Sequence, residues 1–213
     1  MKTRMALFVH QPRCSVQSVN GIMNALSEDY TFKIFTKHEI EDDFFNDVDV
    51  ICFPGGIGDS DAHDFLFKQN GESIQKFING GGKYLGICMG AYWADSDYFN
   101  LLDDVRVVQY IKQPNTDTHR PHAKAMPVVW EDVSLKMYFY DGPTFTGNSF
   151  NTVATYPNGD PMAIIQDNIG LIGCHPESTK HWYESYSWMK KQWHNDTHGE
   201  LLLNFTNKLM GRE

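Results

Sequence analysis

Four cysteines are scattered through the 213 residues, and one of them, Cys88, stands where nucleophilic chemistry would want it. It is the centre of Gly86-Ile87-Cys88-Met89-Gly90, behind the apolar run Lys83-Tyr84-Leu85 and ahead of Ala91-Tyr92-Trp93. A strand that turns sharply into a helix pushes the middle side chain of such a stretch out at the top of a sheet. Glycines two before and two after it leave room for the close backbone approach. A thiol so placed faces the unpaired N–H groups of a helix start, which favour the thiolate. A cysteine between glycines is also an ordinary small core residue, so other residues must decide.

Two further stretches do so. The apolar run Val48–Phe53 stops at Pro54-Gly55-Gly56, a turn that exposes backbone N–H groups without side-chain obstruction. With the amide of Met89, Gly55 and Gly56 form a candidate oxyanion hole. The run Ile169-Gly170-Leu171-Ile172 leads through Gly173-Cys174 to His175-Pro176-Glu177. Spacing of two in an extended segment puts the imidazole and the carboxylate on one side, where the carboxylate fixes the tautomer. Cys88 as nucleophile, His175 as base and Glu177 as orienter then compose a catalytic triad.

The order Pro-Gly-Gly, Gly-Ile-Cys-x-Gly, His-Pro-Glu resembles class I glutamine amidotransferase-like domains. The closer similarity is to the biotin-protein ligase N-terminal domain family. It lies in Val9-His10-Gln11-Pro12-Arg13-Cys14-Ser15, in Phe53–Gly56, in Gly81–Tyr92, in Tyr140-Asp141-Gly142-Pro143 and in His175-Pro176-Glu177. No biotin ligase catalytic domain follows, so biotin transfer is not carried over. The resemblance implies a cysteine-dependent amidase that releases ammonia from a glutamine-type or γ-glutamyl amide. It also implies a separate ATP-dependent ligase as the partner that accepts the ammonia.

The sequence departs from the amidotransferases after the nucleophile. The usual Gly-His-Gln that helps to hold glutamine is Gly90-Ala91-Tyr92 here. A peptide or another γ-glutamyl amide is therefore as suitable a substrate as free glutamine, and a thiol peptidase or γ-glutamyl hydrolase is an alternative. Arg13, Ser15 and Tyr92 are the candidate substrate contacts. A reading from another class is a binding or regulatory module of the same fold without turnover. A thiol stress protein of a related group would need a carboxylate in the first loop, which offers only His10, Gln11 and Arg13.

Acidic residues outnumber basic ones by 27 to 18, a net charge of −9, which repels phosphate backbones and argues against nucleic acid as partner. The cysteines include no Cys-x-x-Cys pair, as expected of free thiols in a reducing, cytoplasmic setting. The first apolar run is too short for a signal peptide, and no run reaches membrane-spanning length. No metal or cofactor is expected.

The elements that must position these residues follow from periodicity. Met5–Val9, Tyr30–Thr36 and Val48–Phe53 read as strands. Ser15 caps a helix carrying Val16, Val19, Ile22, Met23 and Leu26, and a second helix spans Glu72–Asn79. The front half is doubly wound α/β: a mostly parallel, flavodoxin-like sheet with helices on both faces. Short β-like runs at 105–111, 126–130, 135–140, 152–156 and 162–165 predict an antiparallel extension of that sheet in the second half. Segments 181–193 and 199–210 predict terminal helices, and one domain spans 1–213. Cys52 reads as core and Cys174 as a packing residue, with a Cys174–Cys88 disulfide less favoured. The His119–His122 stretch reads as a loop at the rim of the site rather than half of a metal centre. Trp182, Tyr183, Tyr186, Trp188 and Trp193 read as the buried face of a helix.

Overall fold

The structure, a computed structural model, describes residues 2–9, 14–40, 43–56 and 64–212, with residues 64–69 described by their backbone alone. In chain order its elements begin β1 (Thr3–Phe8), α1 (Val16–Leu26), β2 (Tyr30–Phe35), β3 (Val50–Phe53), α2 (Asp64–Asn79), β4 (Lys83–Ile87) and α3 (Met89–Tyr92). They continue with β5 (Val105–Gln109), β6 (Lys124–Trp130), β7 (Val133–Phe139), β8 (Pro143–Gly147), β9 (Asn151–Thr155), β10 (Pro161–Gln166), β11 (Ile169–Ile172), α4 (Lys180–Glu184) and α5 (His198–Leu209).

Nine strands form one sheet in the order β2-β1-β3-β4-β11-β10-β9-β6-β7. The pairs β2-β1, β1-β3, β3-β4 and β4-β11 are parallel, and those from β11 outward to β7 are antiparallel. The order reverses at β1, so right-handed crossovers place α1 and α2 on opposite faces. Hydrophobic burial explains why the parallel strands need no alternation: Val50, Ile51, Cys52 and Phe53 are all fully buried. Below the carboxyl edge, Phe53 gathers Phe8 at 5.1 Å and Trp93 at 5.4 Å between ring centroids, a rigid floor for the loops above.

Three sequence expectations are corrected. The run beginning at Val105 does not extend the main sheet: β5 pairs with β8, itself unforeseen, as a separate two-stranded sheet. The segment 181–193 is not one helix but the short α4, turns and a single 3-10 turn at Lys190–Gln192, so Trp188 is 63% exposed while Trp182 and Tyr183 are buried. Helix α2 starts well before Glu72 and carries Gly71 within it, because tertiary packing tolerates an interior glycine whose local cost is only about 1 kcal/mol.

Candidate functional site

Because β1, β3, β4 and β11 are parallel, the segments that follow them emerge at one edge of the sheet. The register Ile172↔Ile87 sets the ends of β4 and β11 side by side, and the Cys88 N–H bonds the Ile172 carbonyl at 2.8 Å. Cys88 itself has φ 52° and ψ −104°, a conformation that an L side chain adopts only when its surroundings impose it. The glycines on either side explain how it is imposed. A Cβ on Gly86 would stand 2.5 Å from the Gly90 carbonyl oxygen, and one on Gly90 would stand 2.0 Å from that of Phe53. Tyr84 reinforces the turn by donating its hydroxyl to the Gly90 carbonyl at 2.7 Å. The thiol is thereby held half-buried at the wall of a cavity of about 670 Å³.

His175 reaches the same cavity, where its imidazole and the Cys88 sulfur are close enough to interact electrostatically. Its Nδ1 lies 2.8 Å from Glu177 Oε1, and both residues are almost fully buried. The expected extended geometry is replaced by a turn: the Ser178 N–H closes on the His175 carbonyl at 3.2 Å, with Pro176 at the position proline favours. The carboxylate reaches the imidazole by folding back. Since an ionised carboxylate only accepts, Nδ1 carries the proton and Nε2 is left for the thiol side. Burial works against the imidazolium, but the Glu177 carboxylate and the Cys88 sulfur outweigh it and lift His175 from 6.5 to about 10. The ring is wedged between Trp182 at 5.1 Å and Tyr138 at 5.7 Å, and the backbone N–H of His175 bonds the Tyr138 carbonyl at 2.9 Å.

The oxyanion loop needs one correction. The Gly55 N–H donates to Ser18 Oγ at 3.1 Å, so this amide is engaged within the protein. Gly56 and Met89 also line the cavity, and among the described residues no backbone carbonyl accepts from either of their amides. Gly55 has a steric role instead, because a Cβ there would stand 2.7 Å from His175 Cε1.

Ser15 is both the cap of α1, accepting from the Ser18 N–H at 3.3 Å, and a cavity residue. Tyr92 lines the cavity and donates to the Asp141 carbonyl at 3.2 Å, tying the elbow to the Tyr140–Pro143 stretch. Arg13 lies outside the described residues, as do His10 and Gln11. His119 and His122 are not among the residues lining the cavity, and no cluster of metal-binding side chains occurs among the described residues. Cys52 and Cys174 are fully buried, and burial pushes both thiols up; among the described residues no cysteine is in a disulfide. The residues that sequence reasoning missed are Ser18, Tyr138 and Trp182. Only Ser18 left a signal: it is a serine on the buried face of α1, beside Val19 and Ile22.

The topology and the edge cluster can be set against known proteins. Residues 9–107, a little under half of the chain, match the family model described as biotin-protein ligase, N terminal. A glutamine amidotransferase from Thermotoga maritima superposes with a TM-score of 0.70 at 12% identity, covering 98% of each chain. This is a glutamine amidotransferase-like fold. PurLQS from the same organism is similar at a TM-score of 0.69 and 14% identity, over 98% of this chain and 100% of that one. A further glutamine amidotransferase gives 0.66 at 14% identity, over 97% of this chain and 98% of that one. A search of the curated proteins finds no match. The amidotransferase-like sheet carries its cluster at the carboxyl edge, where ligands bind in open α/β sheets. No helix among the described residues is long and apolar enough to cross a membrane.

Proposed function

We propose that the protein is a cysteine-dependent amide hydrolase of the glutamine amidotransferase type. The observation that carries this reading is Cys88, held at positive φ on the wall of the cavity it shares with a buried imidazole that pairs with Glu177 at 2.8 Å. The Cys88 thiolate attacks the carbon of a carboxamide, and the Gly56 and Met89 amides receive the oxyanion. Protonation by His175 lets the C–N bond break and ammonia leave. Water, losing a proton to His175, then attacks the thioester carbon; the C–S bond breaks and a carboxylate product is freed.

The substrate is a small-molecule or peptide amide of glutamine type, and the ammonia passes to a separate ATP-dependent ligase. The similarity of the fold to named amidotransferases supports this, and four cysteines outside any disulfide fit a reducing, cytoplasmic setting. The test is ammonia release from glutamine and a panel of γ-glutamyl amides, for wild type and Cys88→Ala. Release that disappears in Cys88→Ala supports the hydrolase. Release unaffected by the substitution, or none across the panel with ligases present, refutes it in favour of a binding module.

A further inference from the structure

Helix α1 lies close against the His175–Glu177 turn: a Cβ on Gly21 would stand 2.1 Å from the Glu177 carbonyl oxygen. That approach brings Ser18, fully buried one turn earlier, to the carboxylate. The Ser18 hydroxyl has one proton to give, and it goes to Glu177 Oε1 at 2.6 Å, a short bond of the charge-assisted kind. One of its lone pairs accepts the Gly55 N–H at 3.1 Å. Direction is therefore fixed along the whole chain: Gly55 N–H to Ser18, Ser18 O–H to Glu177, and His175 Nδ1–H to the same Glu177 oxygen. Glu177 Oε2 has no hydrogen-bond partner among the described residues. Ser18 thus supplies one of the two bonds that hold this buried carboxylate.

We infer that Ser18 is a positioning residue, which acts through Glu177 on His175 and locks the Pro54-Gly55-Gly56 loop to the same carboxylate. The base and the oxyanion loop are then one mechanical unit, joined by one hydroxyl. A buried carboxylate that loses a donor is easier to protonate, and whatever charge it loses is lost from the support of the imidazolium. The other titratable groups facing this pair are the Cys88 sulfur, the Tyr138 and Tyr183 phenols and the Cys52 and Cys174 thiols; burial pushes Tyr138, Tyr183, Cys52 and Cys174 up, so these four stay neutral.

The inference rests on reading Cys88, His175 and Glu177 as a triad, but its test uses the resting protein and needs no substrate. His175 is titrated by NMR in histidine-labelled protein, assigned with His175→Gln. In folded Ser18→Ala its midpoint should fall from about 10 by about one pH unit or more, the size expected when a hydrogen bond to a charged group is lost. In a Glu177→Gln background, Ser18→Ala should add little, and Ser18→Thr should restore the midpoint in the wild-type background. In the wild-type protein, the Gly55 amide resonance should move together with the His175 titration, which needs no variant at all. An unchanged midpoint in folded Ser18→Ala, an equal fall in the Glu177→Gln background, or a Gly55 amide indifferent to His175 would overturn the role. Failure of ammonia release would instead bear on the hydrolase reading, so the two failures are distinguishable.

Discussion

Alanine at position 55 is the sharpest geometric perturbation of the site. Its methyl would meet His175 Cε1 at 2.7 Å, where non-bonded carbons settle at about 3.5–4.0 Å, so the ring or the loop must give by roughly 1 Å. The ring has little freedom: it is 5% exposed, lies between Trp182 and Tyr138, and is held at Nδ1 by Glu177. Its displacement opens the contact with Cys88. A misplacement of that size costs about a hundredfold in rate, and overpacking of one methyl costs about 1–3 kcal/mol of stability. The amide of residue 55 survives the substitution, and it is bonded to Ser18 in any case. A loss of activity would therefore report position of the imidazole and not a missing oxyanion donor. The assay pairs ammonia release with the rate at which chloroacetamide alkylates Cys88, followed by intact mass. Gly55→Ala should slow both, and Gly55→Ala/Trp182→Leu, which clears space behind the ring, should recover part. A folded Gly55→Ala protein with wild-type alkylation and an unmoved His175 titration would refute the reasoning.

Glu177→Gln removes the charge that holds His175 at about 10, so its midpoint should drop toward 6.5 and the alkaline limb of Cys88-dependent turnover should move down with it. A pKa raised by folding contributes stability fully below about 6.5 and loses it as pH rises through about 10. The gap in urea midpoint between wild type and Glu177→Gln should therefore narrow across that window. His198 works in the opposite sense: burial and the neighbouring His194 hold it down to about 3, so its contribution is present above about 6.5 and is lost as pH falls toward 3. His198→Phe should keep about 1–2 kcal/mol more of its pH 7 stability at pH 5 than wild type does, read from urea melts at the two pH values. At the elbow, Cys88→Gly should be more stable than Cys88→Ala by about 1 kcal/mol in thermal melts, because only glycine occupies φ 52° without strain; equal stabilities would argue against an imposed conformation.

The parallel half was legible because its signals are local. Strands β1, β3, β4 and β11 each carry a continuous apolar run to their carboxyl ends, and the glycines and the proline that follow mark the turns that carry Cys88, Gly55–Gly56 and His175. The second half was not, because its pairing is set by distant partners: nothing near Val107 and Val108 announces that they will join Phe145 and Thr144 rather than the main sheet. The aromatic stretch after His175 misled for a related reason. Trp182 and Tyr183 have helical spacing, but their burial comes from Tyr138 on β7, with ring centroids 4.9 and 5.8 Å away, and the helix ends once those contacts end. Gly55 was misassigned because sequence reveals which amides a turn exposes but not which acceptor arrives. The acceptor came from Ser18, 37 residues earlier.

The same contrast says where the site gets its precision. Residues 9–107 hold the nucleophile, the oxyanion loop and Ser18, yet the imidazole and its carboxylate come from the end of β11. What joins the two parts is the parallel register of β4 with β11 at their ends, reinforced across the sheet edge by the bond from Ser18 to Glu177. A one-residue slip of β11 would turn His175 to the opposite face, where Cys174 now packs, and would carry Glu177 away from α1. Gly170 guards against this. It lies opposite Leu85, and a Cβ there would stand 2.9 Å from the Phe205 ring of α5, so a larger residue of β11 takes its place only by displacing that ring. The chemistry at the edge is therefore set by packing deep in the sheet, which is why a substitution as remote as Gly170→Val should slow Cys88 alkylation together with unfolding the α5 contact, and not one without the other.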